Sequence, residues 1–159
     1  MTDITLKPLK VLVAVEASES SRKTLEKTFR LVNLSQTEFL IFSVEESIVI
    51  PAISAVPGVL GGDMVFSMQQ EAEMLRLEQE RTLAALNWAE RACKQAGVQY
   101  TIRSESGDPK HLICDVAKQE AVDLIVVGSE VHGFLDRLIT GSVSDFVVKH
   151  ACCSIMVVH

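Results

Sequence analysis

The chain has 159 residues, 48% of them hydrophobic and 23% charged, which is enough for one globular domain with one core. Its formal net charge of -6 argues against binding to nucleic acid or to an anionic membrane, because both require a basic patch. No apolar run reaches the roughly 18 residues of a membrane span, and the N-terminus lacks the pattern of a signal peptide. We therefore expect a single cytoplasmic domain over residues 1–159, with no nucleic-acid or membrane partner.

Apolar segments alternate with helical patterns along the chain. The first, second and fourth segments are apolar almost throughout, which is typical of strands that are buried on both faces. The third alternates apolar with polar residues, which indicates a half-exposed strand at an edge of the sheet. This alternation of strands and helices predicts an α/β fold with a parallel sheet and helices on both faces. The five strands are predicted at residues 10–15, 39–44, 98–102, 123–127 and 154–158.

Helix boundaries are marked by residues that favour helix ends. Ser18 is a predicted N-cap, and Gly97 is expected to end a long helix over residues 68–96. Asp108 and Pro109 predict another helix start, with Asp as the N-cap and Pro in the first helical position. A last helix is expected at residues 142–150, with three valines directed inward: Val143, Val147 and Val148.

One apolar segment, at about residues 47–62, breaks the regular pattern. It contains two prolines and three glycines, which forbid a regular helix. Two interpretations remain open: a loop that packs locally, or an apolar lid or patch that contacts a partner protein.

A Gly-loop-Gly-Ser stretch follows the fourth strand and leads into the last helix. Gly128 and Gly141 allow the backbone to approach a ligand without a Cβ in the way. Ser142 and Ser144 offer hydroxyl groups, and the N–H groups of Ser142 and Val143 are unpaired donors of the first helical turn. Such a turn can hold phosphate oxygens. The alternative is that Gly128 is only a turn and that Gly141 and Ser142 merely start a helix.

Taken together, these segments resemble the universal stress protein family over essentially the whole chain. The resemblance implies a Rossmann-like three-layer sandwich with strand order 3-2-1-4-5. It also implies a homodimer formed through the last strand, Ile155, Met156, Val157 and Val158. ATP-binding members of the family carry G-x2-G-x9-G-[ST]. The matching segments are residues 11–19, 42–44, 107–109, 123–129, 141–145 and 155–158.

The resemblance also implies roles for particular residues in binding ATP or another adenine nucleotide, including AMP or ADP. Gly128 is expected beneath the ribose and phosphates, Glu16 beside the adenosine, and Val44 in the adenine pocket. Mg²⁺ is expected only through the phosphates. The phosphate chain is expected on Gly141, Ser142, Val143 and Ser144, and the remaining predicted site residues are Val15, Ala17, Val127, Ser129 and Gly133.

This chain departs from the family pattern at three positions. Val131 stands where the motif has its second glycine, and a β-branched residue cannot adopt a positive φ at low cost. Gly133 is the candidate substitute, because the spacing from Gly128 to Gly141 is intact. The usual Asp after the first strand is Glu16, and the usual Gly after it is Ala17. The alternative function is therefore a nucleotide-free dimeric interaction module of the same family.

Catalysis has little support in the sequence. The chain contains no GxxxxGK[ST], GxSxG or HExxH motif. His132 and Arg137 lie in the loop, where solvated side chains are the simpler interpretation. We expect a regulatory ligand, with slow ATP hydrolysis at most and no catalytic residue to name.

The four cysteines show no CxxC spacing, and reduced thiols are the expectation for an intracellular protein. His150, Cys152 and Cys153 form the one cluster with metal-ligand residue types, and no metal site is predicted from it. A redox role for Cys152 or Cys153 remains open, with Lys149 as the sole nearby positive charge.

Overall fold

The computed structural model describes residues 7–46, 62–129 and 143–159. The described elements alternate between strands and helices, and a short 3₁₀ turn at Leu34–Gln36 precedes the second strand. In chain order they are β1 (Leu9–Ala14), α1 (Glu19–Leu31), β2 (Thr37–Glu46), α2 (Gly62–Ala96), β3 (Gln99–Gly107), α3 (Pro109–Gln119), β4 (Leu124–Gly128), α4 (Val143–His150) and β5 (Ser154–Val158).

The strands form one parallel sheet in the order β3-β2-β1-β4-β5, which confirms the predicted fold class. Val11 of the central strand pairs with Phe39 on one side and with Leu124 on the other. β3 and β5 are the edge strands of this sheet. The alternating pattern correctly placed β3 at an edge.

The two faces of the sheet carry two separate core clusters. One cluster joins Val11 and Val13 of β1 to residues of α1 and α2, among them Leu25 and Trp88. The other cluster, on the opposite face, joins Leu12 of β1 to residues of α3 and α4. Since successive side chains of a strand point to opposite faces, α1 and α2 form one outer layer and α3 and α4 form the other.

The predicted helix ends are confirmed where the structure describes them. Ser18 Oγ accepts a hydrogen bond from the Ser21 N–H at 3.0 Å. Gly97 has φ +66°, the left-handed conformation that favours glycine after a helix. Asp108 Oδ1 accepts from the Lys110 N–H at 2.9 Å, with Pro109 in the first turn.

Two predictions need correction. The long helix begins at Gly62 rather than at residue 68, and the rest of the predicted apolar loop lies outside the described residues. Val148 was expected to face inward, but its side chain is 54% exposed. On this eight-residue helix, Val143 and Val147 are four residues apart and share the inner face, whereas Val148 is turned about 100° away.

Within the part of the chain that the structure describes, no helix has the length and apolar character to cross a membrane.

Candidate functional site at the switch point of the sheet

The carboxyl ends of β1 and β4 lie side by side at the centre of the sheet. α1, which follows β1, covers one face of the sheet, whereas α4, which precedes β5, covers the other. The chain therefore leaves these two neighbouring strands in opposite directions. In open α/β sheets this switch point leaves a crevice outside the strand ends, where ligands bind.

An open cleft occupies this position and holds about 760 Å³ of space that protein atoms do not fill, part of it open to solvent. Its walls come from the carboxyl ends of β1, β2 and β4 and from the first turns of three helices. The described lining residues are Ala14, Val15, Glu16, Ser20, Ser21, Phe42, Val44, Glu46, Pro109, Ile113, Val127, Gly128, Val143 and Ser144.

Backbone hydrogen bonds fix the turn between β1 and α1, which carries Glu16 into the cleft wall. The Glu16 N–H donates to Ser21 Oγ at 3.0 Å, and the Glu16 carbonyl accepts from the Ser18 N–H at 2.9 Å. The preceding residue, Val15, donates to the Phe42 carbonyl at 2.8 Å. Ser21 is thus both a cleft residue and a support for the turn, with only 6% of its surface exposed.

Gly128 is constrained by packing as well as by its place in the cleft wall. A Cβ at this position would lie 3.0 Å from Thr24 Oγ1 on α1. Thr24 cannot withdraw easily, because it is buried and its hydroxyl donates to the Ser20 carbonyl at 3.0 Å. The glycine therefore allows α1 to pack closely on β4. The same helix packing would require a small residue here whether or not a ligand binds.

The described wall of the cleft is acidic. It contains two carboxylates, Glu16 and Glu46, and no Lys, Arg or His among its described lining residues. Burial raises the pKa of the Glu46 carboxyl, and the charges of Glu78, Glu16 and Asp108 raise it further. The Glu46 carboxyl therefore loses its proton less readily in the folded protein than in the unfolded chain.

Seven sequence-predicted site residues meet in this one cleft. Ala17 and Ser129 adjoin the wall without lining it, and the Ser129 N–H donates to the Val158 carbonyl at 2.8 Å. The remaining predictions, at Gly133, Gly141 and Ser142, and the departure at Val131 lie outside the described residues, as do His132 and Arg137. The seven that line the cleft are Val15, Glu16, Val44, Val127, Gly128, Val143 and Ser144.

Sequence reasoning missed several lining residues that the helix starts bring to the same edge. Ser20 and Ser21 follow the cap at Ser18, and Pro109 follows the cap at Asp108. In a parallel sheet, the helices that follow the strands begin at the carboxyl edge, where ligands bind. The two predicted helix caps could therefore have indicated that these residues line the site. Glu46 had no such signal, because the second strand was predicted to end at Val44.

Gly128→Ala is expected to lower the free energy of unfolding by about 1 kcal/mol, because the added methyl overpacks the contact with Thr24. In a Thr24→Ala background, Gly128→Ala should lower the free energy of unfolding by less, because the Oγ1 atom that the methyl group would contact is absent. A urea-denaturation double-mutant cycle measures this coupling. If the losses in the free energy of unfolding caused by the two substitutions are additive, Gly128 and Thr24 do not compete for space.

Glu46→Gln is expected to raise the free energy of unfolding near neutral pH. The folded state disfavours the Glu46 carboxylate, so the stability linked to this group is present below the ordinary pKa of 4.5 and is lost as the pH rises through the raised pKa. The gain over wild type should therefore disappear as the pH falls below 4.5. Urea denaturation of both proteins between neutral pH and a pH below 4.5 measures this difference in stability.

Glu38→Gln is the matched control for that experiment. Glu38 is an exposed carboxyl near the other end of β2, away from the cleft. An equal stabilisation by both variants would contradict the role of burial at Glu46, because it would reflect only the net negative charge of the chain.

Comparison with known proteins identifies the family of this chain. The model of the universal stress protein family matches residues 9–159. The universal stress protein YxiE of Bacillus subtilis (strain 168) is 31% identical over 150 residues, covering 94% of this chain and 97% of its own length.

Solved structures that are similar to this chain include two with TM-scores above 0.6. The hypothetical protein MJ0577 has a TM-score of 0.71 at 20% identity, covering 96% of each chain, which is a likeness of fold. A universal stress protein family protein from Arabidopsis thaliana, determined with AMP bound, has a TM-score of 0.63 at 27% identity and covers 95% of this chain and 91% of its own. On the family match and the relative of 31% identity, the chain belongs to the universal stress protein family.

Proposed function

We propose that this protein binds an adenine nucleotide in the cleft, as a regulatory ligand of a cytoplasmic stress response. The observation that carries the proposal is the convergence of seven predicted site residues, from separate parts of the chain, at the switch point of the sheet. The related protein of Arabidopsis thaliana with AMP bound supports an adenine nucleotide as the ligand class.

The chemistry of the cleft is suited to the two parts of such a ligand. Val15, Val44 and Val127 provide an aliphatic wall for a flat, largely apolar base. Val143 and Ser144 also line the cleft and begin α4, so the positive end of this helix's dipole lies at the cleft wall. A phosphate beside that helix end would be held largely by backbone donors.

The charge of the wall favours nucleotides with few phosphates. Glu16 and Glu46 oppose the approach of additional negative charge. AMP would meet less repulsion than ADP or ATP. ATP would enter more readily with Mg²⁺ bound through its phosphates, since the cation offsets part of that charge.

Val44→Phe is expected to weaken nucleotide binding at least tenfold, because the larger ring occupies the cleft beside the aliphatic wall. Isothermal titration with AMP, and with ATP and Mg²⁺, measures the affinity. Ile102→Phe is the matched control: it makes the same kind of change at a 37% exposed position on β3 and should leave the affinity unchanged.

Wild-type protein that binds neither ligand would contradict the proposal. The absorbance ratio at 260 and 280 nm provides a second measurement, because one Trp and one Tyr absorb weakly and a co-purified nucleotide would raise the ratio clearly. A steady ATP concentration during a long incubation would support a regulatory rather than a hydrolytic role.

The alternative function is a nucleotide-free module that acts by forming homodimers, and one observation favours dimerisation with or without a ligand. β5 is an edge strand, so one side of its backbone has no strand partner within the described sheet. Ile155, Met156 and Val157 on this strand are only partly buried. An apolar edge strand of this kind can pair with a second copy of the chain, and such a dimer could also present a surface to a protein partner.

Met156→Lys is expected to convert a homodimer into a monomer of 17.4 kDa, because a charge in the middle of β5 opposes pairing between strand edges. Light scattering after size exclusion measures the mass. Ile102→Lys places the same charge on β3, at the opposite edge, and should leave the dimer intact. The reverse result would assign the interface to β3, and a monomeric wild type would exclude the dimer.

A further inference from the structure

The four cysteines fall into two groups on opposite faces of the sheet. Cys93 lies on α2 and is fully buried, and burial raises the pKa of its thiol to about 11. Cys114 of α3 and Cys153, between α4 and β5, both pack partly against the other core cluster. Cys152, beside Cys153, is exposed. The second group thus contains three thiols, one of which solvent reaches freely.

Contact between α3 and α4 brings this group together. The rings of His111 on α3 and Phe146 on α4 lie 4.8 Å apart between centroids. Cys114 follows His111 by three residues, which places it on the same side of α3 as this contact. The chain then turns directly after α4 through Cys152 and Cys153 into β5.

The thiols are also close enough to affect one another electrostatically. Burial raises the pKa of Cys114, and the charges of Asp115 and Cys152 raise it further. Burial likewise raises the pKa of Cys153, which is affected by Cys152, Cys114 and Asp123 and is partly offset by a backbone hydrogen bond from Ile125. These couplings join residues that are far apart in sequence and agree with the helix contact.

We propose that Cys114, Cys152 and Cys153 form a thiol-oxidation site, in which a peroxide oxidises Cys152 and Cys114 then closes a disulfide with it. Cys152 is the first target because it is the exposed thiol. Cys153 is the poorer partner for it, since adjacent Cα atoms are about 3.8 Å apart across a trans peptide. Disulfides usually need about 4.4–6.8 Å between Cα atoms.

The chemistry has two balanced steps. The Cys152 thiolate attacks one peroxide oxygen, the O–O bond breaks, and the second oxygen takes up a proton and leaves as water or an alcohol. The Cys114 thiolate then attacks the sulfur of the Cys152 sulfenic acid, the S–S bond forms, and the S–O bond breaks to release water. Two thiols lose two electrons and two protons overall, and the peroxide is reduced.

The disulfide would join α3 to the end of α4, two of the three helices whose first turns border the cleft. Its formation requires no nucleotide, so the test of this thiol site is independent of the proposed nucleotide binding.

The test uses the reduced full-length chain treated with hydrogen peroxide and digested with trypsin without a reductant. Wild type should lose two of its four thiols. Peptide 111–118, which carries Cys114, should be linked to peptide 150–159, with the mass of two hydrogens lost. Dithiothreitol should reverse the linkage, and Cys93→Ala should leave it unchanged because Cys93 lies on the other face of the sheet.

Single substitutions assign the sulfur atoms, because Cys152 and Cys153 share one peptide. Cys152→Ser should abolish the linkage, whereas Cys153→Ser should retain it. In Cys114→Ser, dimedone should trap a sulfenic acid on Cys152. The proposal is overturned if the linkage survives in Cys152→Ser, if wild type forms no linkage, or if non-reducing electrophoresis shows that the linkage joins two chains.

Discussion

β1 lies at the centre of the sheet, and the burial of both of its faces constrains everything around it. Val11, Leu12 and Val13 are fully buried, and their backbone groups pair with β2 on one side and β4 on the other. A parallel strand in this position must be covered by helices on both faces. The helices that follow β1 and β4 therefore lie on opposite faces, and a cleft opens where these strands end. The position of the site thus follows from the helices that cover the two faces of the sheet.

This origin changes how the glycine pattern should be interpreted. Gly128 allows close packing of α1 through Thr24, a requirement that exists without a ligand. A match at this position is therefore weaker evidence for binding than its place in the motif suggests. The carboxylates of Glu16 and Glu46 are more informative, because core packing gives no reason for acidic side chains at the mouth of a cleft.

The fold was largely predictable because local signals and tertiary structure agree. Apolar strands, the cap at Ser18 and the cap at Asp108 are all local features. The strand order, however, came from the family resemblance rather than from periodicity. Glu46 escaped prediction because its position depends on a partner strand. Pairing of β2 with β3 continues to Glu46 opposite Gly107, which extends β2 beyond its apolar run and brings this carboxylate into the cleft wall.

α3 shows how a small domain can carry two chemistries on one element. Pro109 and Ile113 contribute to the cleft wall, whereas Cys114 packs partly against the core cluster to which α3 and α4 both contribute. Successive residues of a helix point about 100° apart, so adjacent positions can serve a ligand site and a thiol site without sharing side chains. The two sites nevertheless share the packing of α3 against α4, in which the ring centroids of His111 and Phe146 lie 4.8 Å apart. Any coupling between them must therefore pass through this helix pair rather than through a common residue.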